Sequence, residues 1–156
     1  MNIKLKKSKQ AISSSEIDGF EAAFNATLPG DYRQFLSQYN GSKPETNIFK
    51  VNERTDSGVN AFIPLTELLK ERSLIGDEIP TKAIPIAWAE GGNFVCLDLG
   101  NAGAVFFWDH EEPERPTQLA RSFTAFLDIL RPFDVSSIKL KPGQVKSAWI
   151  DPSLLQ

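Results

Sequence analysis

The side chains best suited to chemistry lie in one short run, residues 108–114 (WDHEEPE), where carboxylates surround the single histidine directly after an aromatic pair. The candidate residues in this run are Trp108, Asp109, His110, Glu111, Glu112 and Glu114. Three interpretations are open: a solvated loop after a strand, a divalent-cation site, or a recognition edge for a partner protein. In the last, Trp108 is the anchor and the carboxylates meet Lys or Arg side chains of the partner. The spacing does not match a calcium-binding loop.

A second candidate patch lies earlier in the chain, at Trp88 and the turn formed by residues 90–93. Trp88 is predicted either to cover the core or to act as an exposed anchor. Glu90 and Asn93 are assigned to the same partner-binding surface. His110 lies between acids that favour its protonated form, so we expect binding that could depend on pH.

The residue types give little support to catalysis. One histidine and one cysteine exclude three-histidine and mixed His/Cys zinc sets, and no G-x-S-x-G, P-loop or G-x-G-x-x-G motif occurs. Glu90, Asp98 and Asp109 could pair for acid–base chemistry, although acids near strand ends are commonly only solvated. Cys96 lies among apolar residues, where an inert buried thiol is expected rather than a nucleophile. We therefore predict a non-enzyme with no catalytic residue, bound metal or cofactor.

Composition indicates one globular domain in a reducing compartment. The chain has 156 residues, of which 41% are hydrophobic and 24% charged, values ordinary for a water-soluble fold. No apolar run is long enough to cross a membrane, and no apolar stretch follows the basic residues near the N-terminus, as a secretory signal would require. A lone cysteine cannot form an internal disulfide, so we expect a cytoplasmic protein.

The net charge of −3 is distributed unevenly along the chain. Residues 1–10 contribute +4, residues 11–134 hold 10 Lys and Arg against 19 Asp and Glu for a net −9, and residues 135–156 contribute +2. So acidic a body repels nucleic-acid phosphates and attracts a basic protein. We therefore expect no direct contact with nucleic acid and a basic protein partner. We also expect no contact with membrane and a monomer or weak homodimer.

Two helices are predicted near the start of the chain. Ser13-x-x-Glu16 reads as a capping box for a helix over 14–26. The string LPGDYRQFLSQYNG, residues 28–41, reads as a second helix, with Pro29 at its first position and Asp31 at the positive end of its dipole. Asn40-Gly41 supplies a left-handed stop. The apolar stripe of this helix is Tyr32, Phe35, Leu36 and Tyr39.

The middle of the chain changes to the period of two that is typical of strands. Strands are predicted at 48–51, 83–87, 94–99 and 104–109, with 52–61 as a polar loop and 73–82 as a connection. A short helix follows Thr66 and directs Leu65, Leu68 and Leu69 inward. Pro85 indicates an edge strand or a bulge. Residues 94–99 alternate apolar side chains on both faces, which predicts a central strand.

A final helix capped by Ser122 completes an α+β single domain in which helices pack against an antiparallel sheet. The predicted core consists of Phe20, Phe24, Phe35, Leu36, Phe123, Phe126 and Leu127. The boundaries are a basic segment at 1–10, the domain at 11–132, and an extension at 133–156 that packs back through residues such as Trp149.

Three strings in this order resemble the SUKH superfamily of Smi/Knr-type domains: LPGDYRQFLSQYNG, IPIAWAEGGNFVCLDLGNAGAVFFWDH and LARSFTAFLDIL. The resemblance covers about residues 14–131. It implies an α+β fold and a bacterial immunity protein that binds and occludes a cognate toxin, for example a nuclease. Two other functions stay open: a regulatory or scaffold interaction domain, and a small hydrolase or ligand-binding protein that uses surface carboxylates.

Overall fold

The computed structural model describes residue 5 and residues 12–132. The helices are α1 (Ser14–Phe24), α2 (Gly30–Tyr39), α3 (Leu68–Ile75) and α4 (Phe123–Ile129). The strands are β1 (Thr46–Asn52), β2 (Thr55–Phe62), β3 (Ala83–Ala89), β4 (Asn93–Asp98), β5 (Ala104–Trp108), β6 (Thr117–Ala120) and β7 (Arg131–Pro132). Single 3₁₀ turns occur at Leu65–Glu67, Gly76–Glu78 and Glu90–Gly92. The predicted α+β fold is confirmed.

The strands form one antiparallel sheet in the order β6-β5-β4-β3-β2-β1-β7. From β1 to β6 each strand lies beside the next one in sequence. Short turns join β1 to β2, β3 to β4 and β4 to β5, whereas residues 63–82, which include α3, join β2 to β3. The sheet curls far enough that β1 contacts β6, although four strands lie between them in the sheet order. One end of this curled sheet is open, and it is there that the candidate site lies.

Apolar side chains cover both faces of the sheet. The larger core lies between the sheet and helices α1, α2 and α4, while the end of α3 and the residues after it cover a smaller core on the other face. Val95 and Leu97 of β4 belong to the larger core and Cys96 to the smaller one. The predicted alternation in this strand and its central position between β3 and β5 are therefore confirmed.

The predicted core residues are buried, with one exception. Phe20, Phe35, Leu36, Phe123, Phe126 and Leu127 are all inaccessible or nearly so. Phe24 is only partly buried at the last turn of α1, where its ring packs on Phe20. Lys82 lies over the Phe24 ring and donates to the carbonyl oxygen of Asn25 at 2.7 Å, which caps the end of this helix.

The helix boundaries follow their capping chemistry. The capping box at Ser13 and Glu16 is present, and α1 ends at Phe24 because Asn25 takes a left-handed conformation. Helix α2 begins at Gly30, so Pro29 precedes the first helical position instead of occupying it. Gly41 supplies the left-handed residue with φ +73°. Asn40 has a different role: its buried side-chain oxygen accepts a hydrogen bond from the Leu65 N–H at 2.8 Å.

Three predictions for the middle of the chain were wrong in part. Residues 52–61 are not a polar loop, because Thr55 to Phe62 form β2 and pair with β1 and β3. Strand β3 is not an edge strand, but the register shifts between Pro85 and Ala87, the bulge that a proline without an N–H needs. Leu69 is 41% exposed on α3 instead of facing inward.

The predictions for the chain ends fall mostly outside the described residues. These are the basic segment at 1–10, the extension at 133–156 and the role of Trp149. Within the described part, Leu5 makes an isolated bridge to Pro44. In that same part, no helix is both long and apolar enough to cross a bilayer.

Candidate partner-binding cleft

A cleft of about 700 Å³ lies at the open end of the curled sheet. Three pieces of chain enclose it: the β1–β2 hairpin, the 3₁₀ turn Glu90–Gly92, and the loop that joins β5 to β6. The residues that line it are Val51, Asn52, Thr55, Asp56, Ser57, Glu90, Gly91, Asn93, Phe107, Asp109, Glu111, Glu112, Arg115 and Thr117. We call this site the acidic cleft, because five of its lining residues are carboxylates and one is an arginine.

The five carboxylates differ in what they already bind. Asp56 forms an ion pair with Arg131 of β7, and Asp109 accepts a hydrogen bond from the backbone N–H of Glu111 at 2.9 Å. Glu90 and Glu112, in contrast, have no side-chain hydrogen bond or ion pair with any residue in the described part of the chain. These two carboxylates are therefore available to a ligand.

Glu90 can lie close to β2 because Gly58 has no side chain. A Cβ atom added to Gly58 would lie 3.0 Å from Oε1 of Glu90, closer than ordinary contact. The turn that carries Glu90 is tight because Gly91 and Gly92 take φ values of +75° and +82°, which favour glycine. The glycines of this region therefore place the Glu90 carboxylate at the cleft wall.

His110 links the loop between β5 and β6 to the turn that carries Glu90. The side-chain oxygen of Asn93 accepts from the backbone N–H of His110 at 3.1 Å and from its Nδ1 at 2.7 Å, so Nδ1 carries a proton. The other ring nitrogen, Nε2, lies 3.9 Å from Oε1 of Glu111. His110 therefore connects the loop to Asn93 beside the acidic cleft and does not line the cleft.

A serine hydroxyl and an aromatic ring form the inner wall. Ser57 of β2 pairs with Phe49 of β1, so both side chains point to the interior of the curled sheet. Ser57 is only 7% exposed, lines the acidic cleft, and has no hydrogen-bond partner for its hydroxyl among the described residues. Phe107 lines the same wall and packs edge-on against Phe49, with ring centroids 5.8 Å apart.

Comparison with known proteins identifies the family to which this architecture belongs. The model of the SMI1 / KNR4 family (SUKH-1) matches residues 11–129. The chain belongs to the SUKH-1 family. A relative is the SPbeta prophage-derived uncharacterized protein YokK of Bacillus subtilis (strain 168), which is 29% identical over 143 residues covering 74% of this chain and 72% of the relative. The family is known for proteins of the immunity type.

The fold of this SUKH-1 protein brings together five of the residues proposed for partner binding. Glu90, Asn93, Asp109, Glu111 and Glu112 all line the acidic cleft, although about 20 residues separate the two groups in sequence. Their approach follows from the antiparallel pairing of β4 with β5, in which Phe94 lies opposite Trp108. Whether these residues bind a partner stays a prediction.

The other four candidates lie elsewhere. Trp108 is 5% exposed in the smaller core, so the interpretation of this residue as a surface anchor is wrong. The physical reason is the strand period of two: Phe107 faces the acidic cleft, and its neighbour Trp108 must face the opposite side. Trp88 is partly buried opposite Phe94, and His110 lies beside the cleft. Glu114 lines a shallow pocket with Asp77 and Glu78.

Of the three carboxylates considered for catalysis, Glu90 and Asp109 line the acidic cleft, and the sheet register separates Asp98 from them. Asp98 and Asp109 lie at opposite ends of the β4–β5 pair, roughly 15 Å apart by strand geometry, so they cannot act on one substrate atom together. Cys96 is fully buried, and burial raises the pKa of its thiol. Over the described residues, no three His, Cys, Asp or Glu side chains converge as a metal-ligand set.

Sequence reasoning missed the hairpin side of the acidic cleft. Asp56 and Ser57 were assigned to a loop because residues 52–61 are mostly polar. A period-two signal was available in this run, since Ser57, Val59 and Ala61 are all buried in β2. Arg115 was missed as well, because nothing in the sequence directs the β5–β6 loop back across the mouth of the sheet.

Proposed function

We propose that this protein is an immunity-type binding protein that neutralises a basic toxin by direct contact, without catalysing a reaction. The observation that carries the proposal is the acidic cleft, whose lining combines five carboxylates with one arginine. Membership of the SUKH-1 family supports it, because that family is known for proteins of the immunity type.

The mechanism we propose is electrostatic encounter followed by occlusion. A toxin that cleaves nucleic acid must present Lys and Arg side chains where it binds phosphate. A protein body with a net charge of −9 over residues 11–134 attracts such a surface and speeds the encounter. Once bound, the acidic protein covers the groups that the nucleic acid would need. The lone buried cysteine suits action in the reducing cytoplasm.

The test is a growth assay with toxins encoded beside the gene for this protein. Each candidate toxin is expressed with the wild-type chain, with a Glu111→Lys/Glu112→Lys double variant, and with Asp128→Lys as a control on the exposed face of α4. We expect wild type and the control to restore growth and the double variant to fail. Equal protection by all three proteins would remove the acidic cleft from the mechanism, and protection by none would contradict the proposed function.

A further inference from the structure

We propose that the acidic cleft is a receptor for one arginine side chain, supplied by a basic segment of the partner and held by Glu90, Glu112 and the hydroxyl of Ser57. This inference rests on the proposed function, because it names the group that the same site recognises. It adds a chemical selectivity, guanidinium over ammonium, that a general attraction between opposite charges does not require.

The first argument concerns which acceptors are unoccupied. Asp56 is neutralised by Arg131, and Asp109 is engaged by the backbone of its own loop. Glu90 and Glu112 reach the acidic cleft from different connections and have no partner among the described side chains. A cation that enters from outside therefore finds two unpaired carboxylates on separate walls.

The second argument is independent of charge and comes from Ser57. Ser57 is only 7% exposed as a residue, and its hydroxyl can donate one hydrogen bond and accept others. This hydroxyl has no hydrogen-bond partner in the described part of the chain and lies on the inner wall of the acidic cleft. An N–H donor that penetrates the cleft would satisfy it.

The third argument selects arginine over lysine. The planar guanidinium group presents several N–H donors in a fixed fork, so it can bond to separate carboxylates and a hydroxyl at the same time. It is also more weakly hydrated than an ammonium group and stacks on aromatic rings. Phe107 lines the inner wall and is 6% exposed, so a side chain that penetrates the cleft can contact this ring. A cleft of about 700 Å³ has room for the side chain and part of its backbone.

The experiment uses the full 156-residue chain, labelled with ¹⁵N, and three capped pentapeptides of the form acetyl-Gly-Gly-Xaa-Gly-Gly-amide. Xaa is arginine, lysine or citrulline, the last being a neutral analogue of arginine with nearly the same shape. We expect saturable shifts of the amide signals of Ser57, Glu90, Asn93 and Asp109 with the arginine peptide, weaker binding of lysine, and none of citrulline. Equal binding of lysine and arginine, or shifts confined to other surfaces, would overturn the inference.

Variants identify the groups that hold the guanidinium. Ser57→Ala should weaken binding of the arginine peptide about tenfold, since it removes one hydrogen bond to a charged group. Glu90→Gln and Glu112→Gln keep the side-chain shape and should each weaken it by a similar factor, whereas Asp128→Asn on α4 should leave it unchanged. The two glutamine variants affect exposed residues, so they remain informative if Ser57→Ala fails to fold. Unchanged affinity in both would contradict the proposed contacts.

Failure of this inference and failure of the proposed function give different results. If the arginine peptide binds in the acidic cleft but Glu90→Gln and Glu112→Gln still protect against the toxin, the receptor exists and the proposed use of the cleft is wrong. If the variants lose protection and the peptides show no preference for arginine, the receptor is wrong and the proposed function stands.

Discussion

The helical side of the molecule and its acidic cleft use charged residues in opposite ways. Between α1 and α2, Arg33 pairs with Asp18 at 3.0 Å and with Glu21 at 2.8 Å. Between α2 and α4, Asp31 accepts from the backbone N–H of Thr124 at 2.9 Å and from its hydroxyl at 2.8 Å. In the acidic cleft, Glu90 and Glu112 make no such contact with any described side chain.

The difference separates groups that build the fold from groups that remain available for binding. A carboxylate that caps a helix contributes to stability, since its removal leaves backbone donors unpaired. Unpaired carboxylates grouped at a cleft repel one another and add nothing to stability, but they create a negative potential toward a partner. Substitutions on the helical side should therefore lower the free energy of unfolding, while substitutions in the cleft should change binding.

The largest expected effect is in the core under the helices. Phe35 packs edge-on against Phe62 and Phe123, with ring centroids 4.7 Å and 4.9 Å away. Phe35→Ala should lower the free energy of unfolding by about 3–5 kcal/mol, because it leaves a cavity among these rings. Urea unfolding followed by circular dichroism measures it, with Leu74→Ala as a control at a site that is 71% exposed. Similar midpoints for the two variants would contradict the packing.

Trp108 provides the sharpest contrast with the cleft. It directly precedes the acids in sequence, but its side chain lies in the smaller core. Trp108→Ala should lower the free energy of unfolding by about 3–5 kcal/mol, and a surface anchor would instead leave it nearly unchanged. The same urea titration decides between them, with Trp88→Ala as the comparison at a partly exposed position. A stable Trp108→Ala variant with faster toxin release would restore the anchor interpretation.

A smaller effect is expected at the contact between α2 and α4. Asp31→Ala should lower the free energy of unfolding by about 1–2 kcal/mol, since it removes the acceptor for both Thr124 donors at the start of α4. Asp128→Ala, an exposed acid on α4, is the matched control and should change stability little. Thermal unfolding of both variants measures the difference in stability. Equal unfolding midpoints would show that the contact between Asp31 and Thr124 contributes nothing to stability.

The buried phenol of Tyr32 should make stability depend on pH in the alkaline range. Burial raises the pKa of Tyr32 above its usual value, and its hydroxyl has no partner in the described residues. Above the pKa of an unfolded tyrosine, about 10, the folded chain keeps this proton and the unfolded chain loses it. The free energy of unfolding is therefore unaffected by this group below about pH 10. Above that pH it declines, by at most about 1.4 kcal/mol per pH unit.

Tyr32→Phe should remove that part of the alkaline loss, because phenylalanine has no proton to release. Urea unfolding of wild type and variant between about pH 8 and 11 measures the difference, with Tyr39→Phe as the control at a partly exposed ring. Parallel pH profiles of wild type and Tyr32→Phe would show that the phenol ionises without unfolding the chain.

The smallest effect on stability is expected in the cleft itself. Glu111→Lys/Glu112→Lys should change the free energy of unfolding by no more than about 0.5 kcal/mol, because both residues are exposed. The same change should slow association with a basic toxin and weaken its dependence on salt. Surface plasmon resonance at low and moderate salt measures the rate, and Asp128→Lys is the control. Unchanged association would place the binding surface elsewhere.

Several elements could be predicted from the sequence because their signals are local. The stripe of Tyr32, Phe35 and Leu36 identified α2, and the alternation in residues 94–99 identified a central strand with apolar residues on both faces. Both rest on side-chain periods of 3.6 and 2, which a neighbouring element does not alter. Strand β2 was missed, since its polar residues acquire strand structure only by pairing with β1 and β3.

For the candidate site, the sequence by itself determined the charge: an acidic body and a run of carboxylates directly after an aromatic pair. Only the tertiary structure decided which of those carboxylates share one cleft, and that Ser57 and Phe107 form its wall while Trp108 does not. The physical reason is that charge adds up along a chain regardless of fold. Proximity and the direction of each side chain depend instead on strand pairing and on the curl of the sheet.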